Sequence, residues 1–344
     1  MAFMSSMALG VRLQVHTQGA VNGMRRLGTT VDNVKGRFQR AGQAAKSFQK
    51  SVQGVQMVSA AVNLVLGAAA FKAANFEQGM SGVQAVLLAN KEDMTELTEK
   101  AKELGRTTVF SASQAAEGMN AMARAGFDNI DIMDGMKGVM DAAAAEGMDL
   151  GRATSIVADT IKGMGLTAKD TTLVADTLAL ASARANTDIN GLGEAMKYVA
   201  TTANVAGIPL HDITGAVAAL QDAGLKGSMA GTAPSTMLTK MAAPSNSAQA
   251  SMAKLGITFK DSNGDLLSFR DQMKQLEKGF KSAGGSADKL ALANQLFGIR
   301  GQKAAMALVK KLEDPKRSLV DMMDMLGNAT GSAEKMANIR LDNL

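Results

Sequence analysis

A unit of about forty residues occurs three times in the middle of this chain, and this repetition limits the possible fold more than any other sequence feature. A glycine-centred tripeptide marks each unit: AGF (125–127), MGL (164–166) and AGI (206–208). Glycine suits this place because helices commonly end on a left-handed residue. We therefore predict structural turns at Gly126, Gly165 and Gly207.

An aspartate stands five residues after the glycine of each unit, and another capping residue opens the helix before it. The aspartates, which we expect to be N-caps of the helices that follow, are Asp131, Asp170 and Asp212. The residues that open the preceding helices are Ser111, Asp149 and Asp188. Since one helical hairpin cannot bury its own apolar side, the units are expected to stack over residues 105–228.

The composition agrees with a helical fold. The 344 residues include 25 Met and a large number of Ala, which favour helices, but no Trp and only one Tyr. We predict an all-α protein in which an N-terminal coiled-coil helix is followed by stacked helical hairpins. Four parts are expected: an N-terminal strand or arm (1–16), a basic heptad helix with a small-residue apolar helix (17–74), the helical-hairpin repeat core (75–230), and a helical region with one small β-hairpin (231–344).

Apolar residues recur every seven positions in the basic N-terminal part, in two sets three residues apart. Residues 1–50 hold eight Lys or Arg and one acid, so they carry a charge of +7. Such a stripe presents one apolar seam to a partner helix. We predict a continuous helix over 24–55 that self-associates, with an antiparallel hairpin within one chain as the alternative. The oligomerisation seam comprises Met24, Leu27, Val31, Val34, Phe38, Phe48, Val52 and Val55.

An uncharged stretch, residues 52–71, follows the heptads and is long enough to span a bilayer. Gln53, Gln56 and Asn63 make it a poor membrane helix, however. We expect a small-residue helix that is buried in an oligomer or lines a tube, with transient membrane contact as the alternative.

In the C-terminal region, prolines and a turn sequence interrupt the helical pattern. Pro234 and Pro244 predict a surface segment. The run ITFKDSNGDLLSF (257–269) predicts a β-hairpin, because apolar flanks surround an Asn-Gly pair that suits a type I′ turn. Further helices are expected over 270–280, 287–312 and 316–327.

The sequence offers no set of residues suited to catalysis or metal binding. There is no Cys, and His16 and His211 are the two histidines, which argues against thiolate and multi-histidine sites. The glycine-rich run GSMAGTAPS (227–235) lacks the lysine of a phosphate-binding loop. The run LFGIRGQKAA (296–305) is interpreted as a helix–turn–helix corner. We predict a protein that is not an enzyme and has no catalytic, cofactor-binding or metal site.

Several longer segments carry a family resemblance. They are FEQGMSGVQAV (76–86), AKELGRTTVFSASQAAEGMNAMARAGF (101–127), AxxxGMDLGRATSIVADTIKGMGL (143–166), VADTLALASARANTDINGLGEAM (174–196), GLKGSMAGTAPSTMLTKM (224–241), LGITFKDSNGDL (255–266) and LFGIRG (296–301). In consistent order over 75–340, they resemble the conserved N-terminal core of the tape measure proteins of long-tailed bacteriophages. This core region is also found in phage-like contractile particles.

The resemblance implies a structural protein that templates the tail tube, sets its length and is released from it on infection. It implies a place in the tail tube lumen of the virion, after assembly in the host cytoplasm. The implied partners are the tail tube protein, baseplate or tail tip proteins, tail assembly chaperones and further copies of the chain.

A ruler of this kind has a simple length limit. A chain of 344 residues reaches at most about 520 Å if it is wholly helical. We expect the C-terminal extent beyond residue 312 to carry the measurement. The family pattern normally continues past the last residues present here, so a fragment, a processed product and a very short tail all stay open.

The residues alone leave two other functions open. A membrane-active or pore-forming effector, delivered by a phage-like injection machine, would use residues 52–71 for insertion. A nucleic-acid-binding module would use the basic N-terminal arm, but the near absence of aromatic residues argues against it.

Overall fold

The structure is a computed structural model that describes residues 58–342. The chain divides into two units, residues 1–71 and residues 72–344. The predicted N-terminal arm, the heptad helix over 24–55 and all residues of its seam lie outside the described residues.

The described residues form fourteen α-helices, one short 3₁₀ helix (Ala168–Asp170) and no strand, which confirms the predicted all-helical fold. The α-helices are α1 (Val58–Leu87), α2 (Lys91–Thr107), α3 (Ala112–Arg124), α4 (Asn129–Glu146), α5 (Leu150–Gly163), α6 (Thr171–Arg184), α7 (Ile189–Val205), α8 (Leu210–Asp222), α9 (Ser228–Ala242), α10 (Asn246–Leu255), α11 (Phe269–Ser282), α12 (Ser286–Leu312), α13 (Leu319–Gly327) and α14 (Ser332–Leu341).

Alternate helices lie side by side and form two layers. In the first layer α3, α5, α7, α9 and α12 follow one another, each in contact with the next. In the second layer α4, α6 and α8 do the same, and each also contacts its neighbours in the first layer. The two short C-terminal helices lie on the second layer, α13 against α8 and α14 against α4 and α6. The expected stack of hairpins is therefore present, with a C-terminal segment folded back over it.

Three of the first-layer helices, α3, α5 and α7, begin on side-chain caps. Ser111, Asp149 and Asp188 each accept a hydrogen bond from the backbone N–H group three residues further on. The hairpin turns contain Gly126, Gly165 and Gly207, whose φ values are 86°, 63° and 67°. An L-residue with a Cβ atom rarely adopts this left-handed conformation, so the turns favour glycine.

Two of the second-layer helices, α4 and α8, begin one turn earlier than the aspartates of the repeat suggest. Asp128 and Pro209 occupy their cap positions, and the expected caps Asp131 and Asp212 lie three residues later. Asp170 does occupy the N-cap position of α6, but its side chain makes no capping hydrogen bond there, and a 3₁₀ turn capped by Thr167 comes before it. Asp131 and Asp170 instead accept hydrogen bonds from the backbone N–H groups of Asp128 and Thr167. The prediction was wrong for Asp131 and Asp212, and for Asp131 the reason is that a capping box also places an acid at this third position.

Small residues allow the layered helices to approach closely. A Cβ atom on Gly231 of α9 would lie only 2.9 Å from the carbonyl carbon of Ala195 on α7. A Cβ atom on Gly163 of α5 would lie 2.7 Å from the Cβ atom of Ala200 on α7. The methionines of α3 and α4 fill the space between the layers: Met119, Met122, Met136 and Met140 are all buried. These methionines are thus part of the hydrophobic core.

Two predictions for residues 231–269 need correction. Pro234 lies buried inside α9 rather than in a surface segment. The helix continues past it, although proline has no backbone N–H group to donate. The predicted β-hairpin over 257–269 is not confirmed, because only an isolated bridge joins Lys260 and Leu266. The Asp261 carboxylate accepts hydrogen bonds from backbone N–H groups of the loop and so replaces part of a strand ladder.

Candidate functional site

The described residues contain no cluster of three or more His, Asp or Glu side chains that could hold a metal ion. None of the helices described from residue 58 onward combines the length and the apolar character needed to cross a membrane. Three interhelical polar junctions join the C-terminal helices of the chain to the repeats.

The first junction is centred on Asp176, a buried acid on α6 with 2% of its surface exposed. Its two carboxylate oxygens accept hydrogen bonds from the backbone N–H groups of Gly331, at 2.7 Å, and Ala333, at 2.8 Å. These groups belong to the start of α14, where helical N–H groups have no partner within the helix. A carboxylate here also stabilises the positive end of the helix dipole. Asp176 therefore caps a helix that is remote in sequence.

Further contacts hold α14 along its length. Near its start, Glu334 accepts a hydrogen bond at 2.8 Å from the ammonium group of Lys137 on α4, which also bonds Asp141 at 2.8 Å. Near its end, the Arg340 guanidinium group lies 3.4 Å from the carbonyl oxygen of Ala145, in the last turn of α4. Both helices run in the same direction, because the start of α14 contacts the middle of α4 and its end contacts the last turn of α4.

Burial and charge shift two pKa values in this junction. Burial raises the pKa of the Asp141 carboxyl, and the hydrogen bond from Lys137 opposes this only in part. Burial lowers the pKa of Lys137, but its hydrogen bonds to Asp141 and Glu334 outweigh this, so that pKa lies above its ordinary value. The lysine therefore stays charged between the two acids at neutral pH.

The second junction joins α8, α11 and α13 through Arg270. Its guanidinium group donates to the buried carboxylate of Asp212, at 3.1 and 3.3 Å, and also to Asp324. Asp212 is free to accept these bonds because the cap residue three positions earlier is Pro209, which has no N–H group to offer. His211, whose Nε2 atom lies 3.4 Å from Asp212, is a neighbour of this ion pair.

The third junction lies at the end of α12. The Lys311 ammonium group is 3.2 Å from a carboxylate oxygen of Asp222 on α8, and Asp222 also accepts a hydrogen bond from the N–H group of Asn186. A cleft of about 500 Å³ adjoins it, with walls that include Arg184, Arg317 and Asp321. With Lys316 and Asp222, its walls carry three basic and two acidic side chains, so both signs of charge line the cleft.

The structure keeps the predicted site residues apart. Gly126, Gly165 and Gly207 occupy three separate hairpin turns, and the seam residues lie outside the described part of the chain. The glycine-rich run 227–235 forms the start of α9, where Gly231 serves a close helix crossing rather than a ligand. Sequence reasoning missed Asp176, whose partners are 155 and 157 residues away along the chain.

A family model described as phage-related minor tail protein matches residues 98–298, which is more than half of the chain. The chain belongs to this family. It is 35% identical to the tape measure protein of Pneumococcus phage Dp-1 over 309 residues, and 27% identical to the probable tape measure protein of Escherichia phage P2 over 316 residues. These alignments cover 88% and 90% of this chain. The resemblance to tape measure proteins is thereby confirmed.

The two relatives are much longer proteins. The alignments take in 26% of the Dp-1 protein and 38% of the P2 protein. No solved structure matches the chain. The matched family region runs from within α2 to the kink at Gly298 in α12, so α13 and α14 lie beyond it.

Proposed function

We propose that this chain is a structural assembly protein of a phage tail, which templates the tail tube, sets its length and leaves the tube on infection. The ordered similarity to two tape measure proteins carries the proposal. The proposed partners are the tail tube protein, baseplate or tail tip proteins, tail assembly chaperones and further copies of the chain. Its proposed place is the tail tube lumen of the virion, after assembly in the host cytoplasm, and it has no enzymatic activity.

The compact fold of residues 72–342 bears on which part of the protein sets the tail length. Residues 72–342 would extend about 400 Å as one continuous helix. A compact chain of this size has a radius of gyration of only about 19 Å. The helices of this region stack in layers, and α14 returns onto α4 near the start of the stack. We therefore propose that the stacked part is an anchoring body, and that extended helical parts of the protein carry the length.

This proposal revises the expected role of the segment beyond residue 312. Its buried side chains, among them Leu319, Met322 and Leu326, lie in the same core as the repeats. A segment that is packed in this way adds little to the length of a ruler. No observation favours the alternative of a membrane-active effector.

Removal of the chain tests the proposed role. A stop codon early in its gene should abolish tails or give tubes of irregular length, and a plasmid copy of the gene should restore uniform tails. Electron microscopy of negatively stained lysates measures both outcomes. Tails of normal, uniform length in the absence of the chain would refute the proposal. A chain that stays in the particle after DNA ejection, as measured by mass spectrometry, would refute the release step alone.

A further inference from the structure

Charge is unevenly distributed along the stack of helices. Residues 72–222, which reach from within α1 to the end of α8, contain 12 Lys or Arg and 20 Asp or Glu, so they carry a charge of −8. Residues 223–318, which form α9 to α12 and the connection after α12, contain 15 Lys or Arg and 7 Asp or Glu, so they carry +8. A stack of repeats needs polar ends to stay soluble, but it does not need ends of opposite sign.

The last helix of the first layer, α12, is covered from outside along its first half. The side chain of Gln295 donates to the carbonyl group of Ser247 on α10, and the ring of Phe297 lies 6.2 Å from that of Phe259. Beyond the kink at Gly298, exposed and half-buried residues recur at helical spacing on the side away from the core. They are Ile299, Arg300, Lys303, Met306, Ala307 and Lys310. This side of α12 is open in the part of the chain that the structure describes.

Three bases on the open side have no partner for their charge. The side chains of Arg300, Lys303 and Lys310 make no ion pair or hydrogen bond within residues 58–342. Next to them, Ile299 has 73% of its surface exposed. Interfaces between proteins commonly combine an apolar centre with a polar rim. We call these four residues the basic end face.

The front of the stack carries the opposite sign. The starts of α2 and α4 lie together there, because the Asn129 side chain donates to a carboxylate oxygen of Asp93 at 3.0 Å. The first two turns of these helices hold three exposed acids whose side chains make no ion pair or hydrogen bond within the described residues: Glu92, Glu96 and Asp134. On the same turn of α4, Ile130 is 59% exposed. We call Glu92, Glu96, Asp134 and Ile130 the acidic front face.

We propose that the basic end face binds the acidic front face of a second copy of the chain, so that copies associate head to tail. Each face holds three unpaired charges of one sign and one exposed isoleucine. Contact between two like faces would set equal charges against each other, which disfavours a two-fold dimer. Each head-to-tail contact leaves one face of each sign free, so the association can continue to a row of copies.

The inference deepens the proposed function and rests on it only in the choice of partner, since further copies of the chain are among the proposed partners. Exposed ion pairs contribute little individually, so the association is weak in dilute solution. It becomes strong where an assembly holds the copies close together. The tests use the purified chain, so a failure here would leave the measurements of tail length and of release unaffected.

Charge reversal on each face tests the proposal in the full chain. One variant carries Arg300→Glu and Lys303→Glu, and the other carries Glu92→Lys and Glu96→Lys. Each variant alone should associate at least about tenfold more weakly than the parent in sedimentation velocity, because its two faces then have the same sign. An equal mixture of the two should associate about as strongly as the parent, since each face again meets its opposite. A mixture that associates no better than either variant alone would overturn the proposal.

A matched control separates the faces from net charge. Lys162→Glu with Lys169→Glu changes the net charge as the first variant does, at two exposed lysines in the middle of the stack, and should associate like the parent. The predicted seam over 24–55 is unaltered in every variant, so it cannot produce the differences between them. Circular dichroism checks that each variant is folded. A control that loses association as the first variant does would contradict the role of the basic end face.

Salt dependence gives a second measurement on the parent chain. Between about 0.1 M and 1 M NaCl the Debye length falls from about 10 Å to about 3 Å, so the self-association should weaken at least about tenfold. A parent chain that stays monomeric up to millimolar concentration in the lower salt would overturn the proposal. Duplex DNA that binds the parent but not the first variant, without any self-association, would assign the basic end face to nucleic acid instead.

Zero-length cross-linking identifies the surfaces that meet. A carbodiimide joins amines to carboxyl groups that are in direct contact, and a mixture of isotope-labelled and unlabelled chains marks the intermolecular products. We expect mixed-isotope cross-links from Lys303 or Lys310 to the acids of the acidic front face. Intermolecular cross-links confined to residues 1–57 would refute head-to-tail association of the stacks.

Discussion

The closest helix crossing in the stack leads to a sharp prediction for Gly231→Ala. A Cβ atom at this position would lie 2.9 Å from the carbonyl carbon of Ala195 and 3.0 Å from its Cα atom, and closer still to its oxygen. Ordinary contacts begin near 3.4 Å, and the obstructing atoms are helix backbone, which cannot rotate away. The helix α9 would have to move by several tenths of an ångström or more from α7.

That movement is costly because α9 is also packed against α12 on its other side. Overpacking of this kind costs roughly 1–3 kcal/mol, and the better helix propensity of alanine returns about 1 kcal/mol at most. We expect Gly231→Ala to lower the free energy of unfolding by about 1–2 kcal/mol. For a unit of this size, each kcal/mol corresponds to a fall in Tm of roughly 2–4 °C.

A second glycine on a neighbouring helix provides the control. A Cβ atom on Gly151 of α5 would meet no backbone atom, and only the Oδ1 atom of the cap residue Asp149, at 3.2 Å. Gly151→Ala should therefore leave the stability unchanged or raise it by up to about 1 kcal/mol. Urea unfolding of both variants, followed by circular dichroism, measures the difference. If Gly231→Ala is as stable as Gly151→Ala, the close crossing of α7 and α9 is wrong.

Four further substitutions test other parts of the account. Gly165→Ala should lower the free energy of unfolding by about 2 kcal/mol and Gly207→Ala by about 1 kcal/mol, as measured by urea unfolding. Both residues have positive φ, but only the Cβ atom at position 165 would meet a side chain, that of Asn204, so equal losses would contradict this reasoning. Arg270→Ala should cost roughly 1–3 kcal/mol, since it leaves the buried Asp212 carboxylate without its main partner, and a loss under 0.5 kcal/mol would count against that ion pair. Asp141 has a raised pKa in the fold, so its contribution to stability is largest at low pH and is lost as the pH rises through that pKa. Asp141→Asn should therefore raise the free energy of unfolding at neutral pH, and this gain should disappear as the pH is lowered. A gain that grows as the pH is lowered would show that the pKa of Asp141 is not raised.

Much of the helical stack could be predicted from local sequence patterns. The glycine turns and the caps Ser111, Asp149 and Asp188 involve residues close together in the chain, so their chemistry is visible in a short window. The caps of α4 and α8 were misplaced by one turn, although the spacing of Asp128 and Asp131 already fits a capping box.

The junctions of the C-terminal segment could not be predicted in this way. Asp176 is the single acid of α6, and its partners are more than 150 residues away, so no local pattern reveals its role. Pro209 was a usable signal, because a proline at a cap position leaves the acid three residues later free for another partner. The turn at 261–264 was misjudged because the Asp261 side chain competes with strand pairing for the backbone N–H groups.

The most direct test of the account compares two insertions in the phage genome that encodes the chain. One places a helical segment of about 28 residues after Leu344, and the other places the same segment in the loop between α11 and α12. Tail length is then measured by electron microscopy of particles shown to contain the altered chain. We expect the first insertion to lengthen tails by about 42 Å and the second to leave their length unchanged. Tails of unaltered length after the first insertion, or equal lengthening by both, would contradict the division into an anchoring body and an extended ruler.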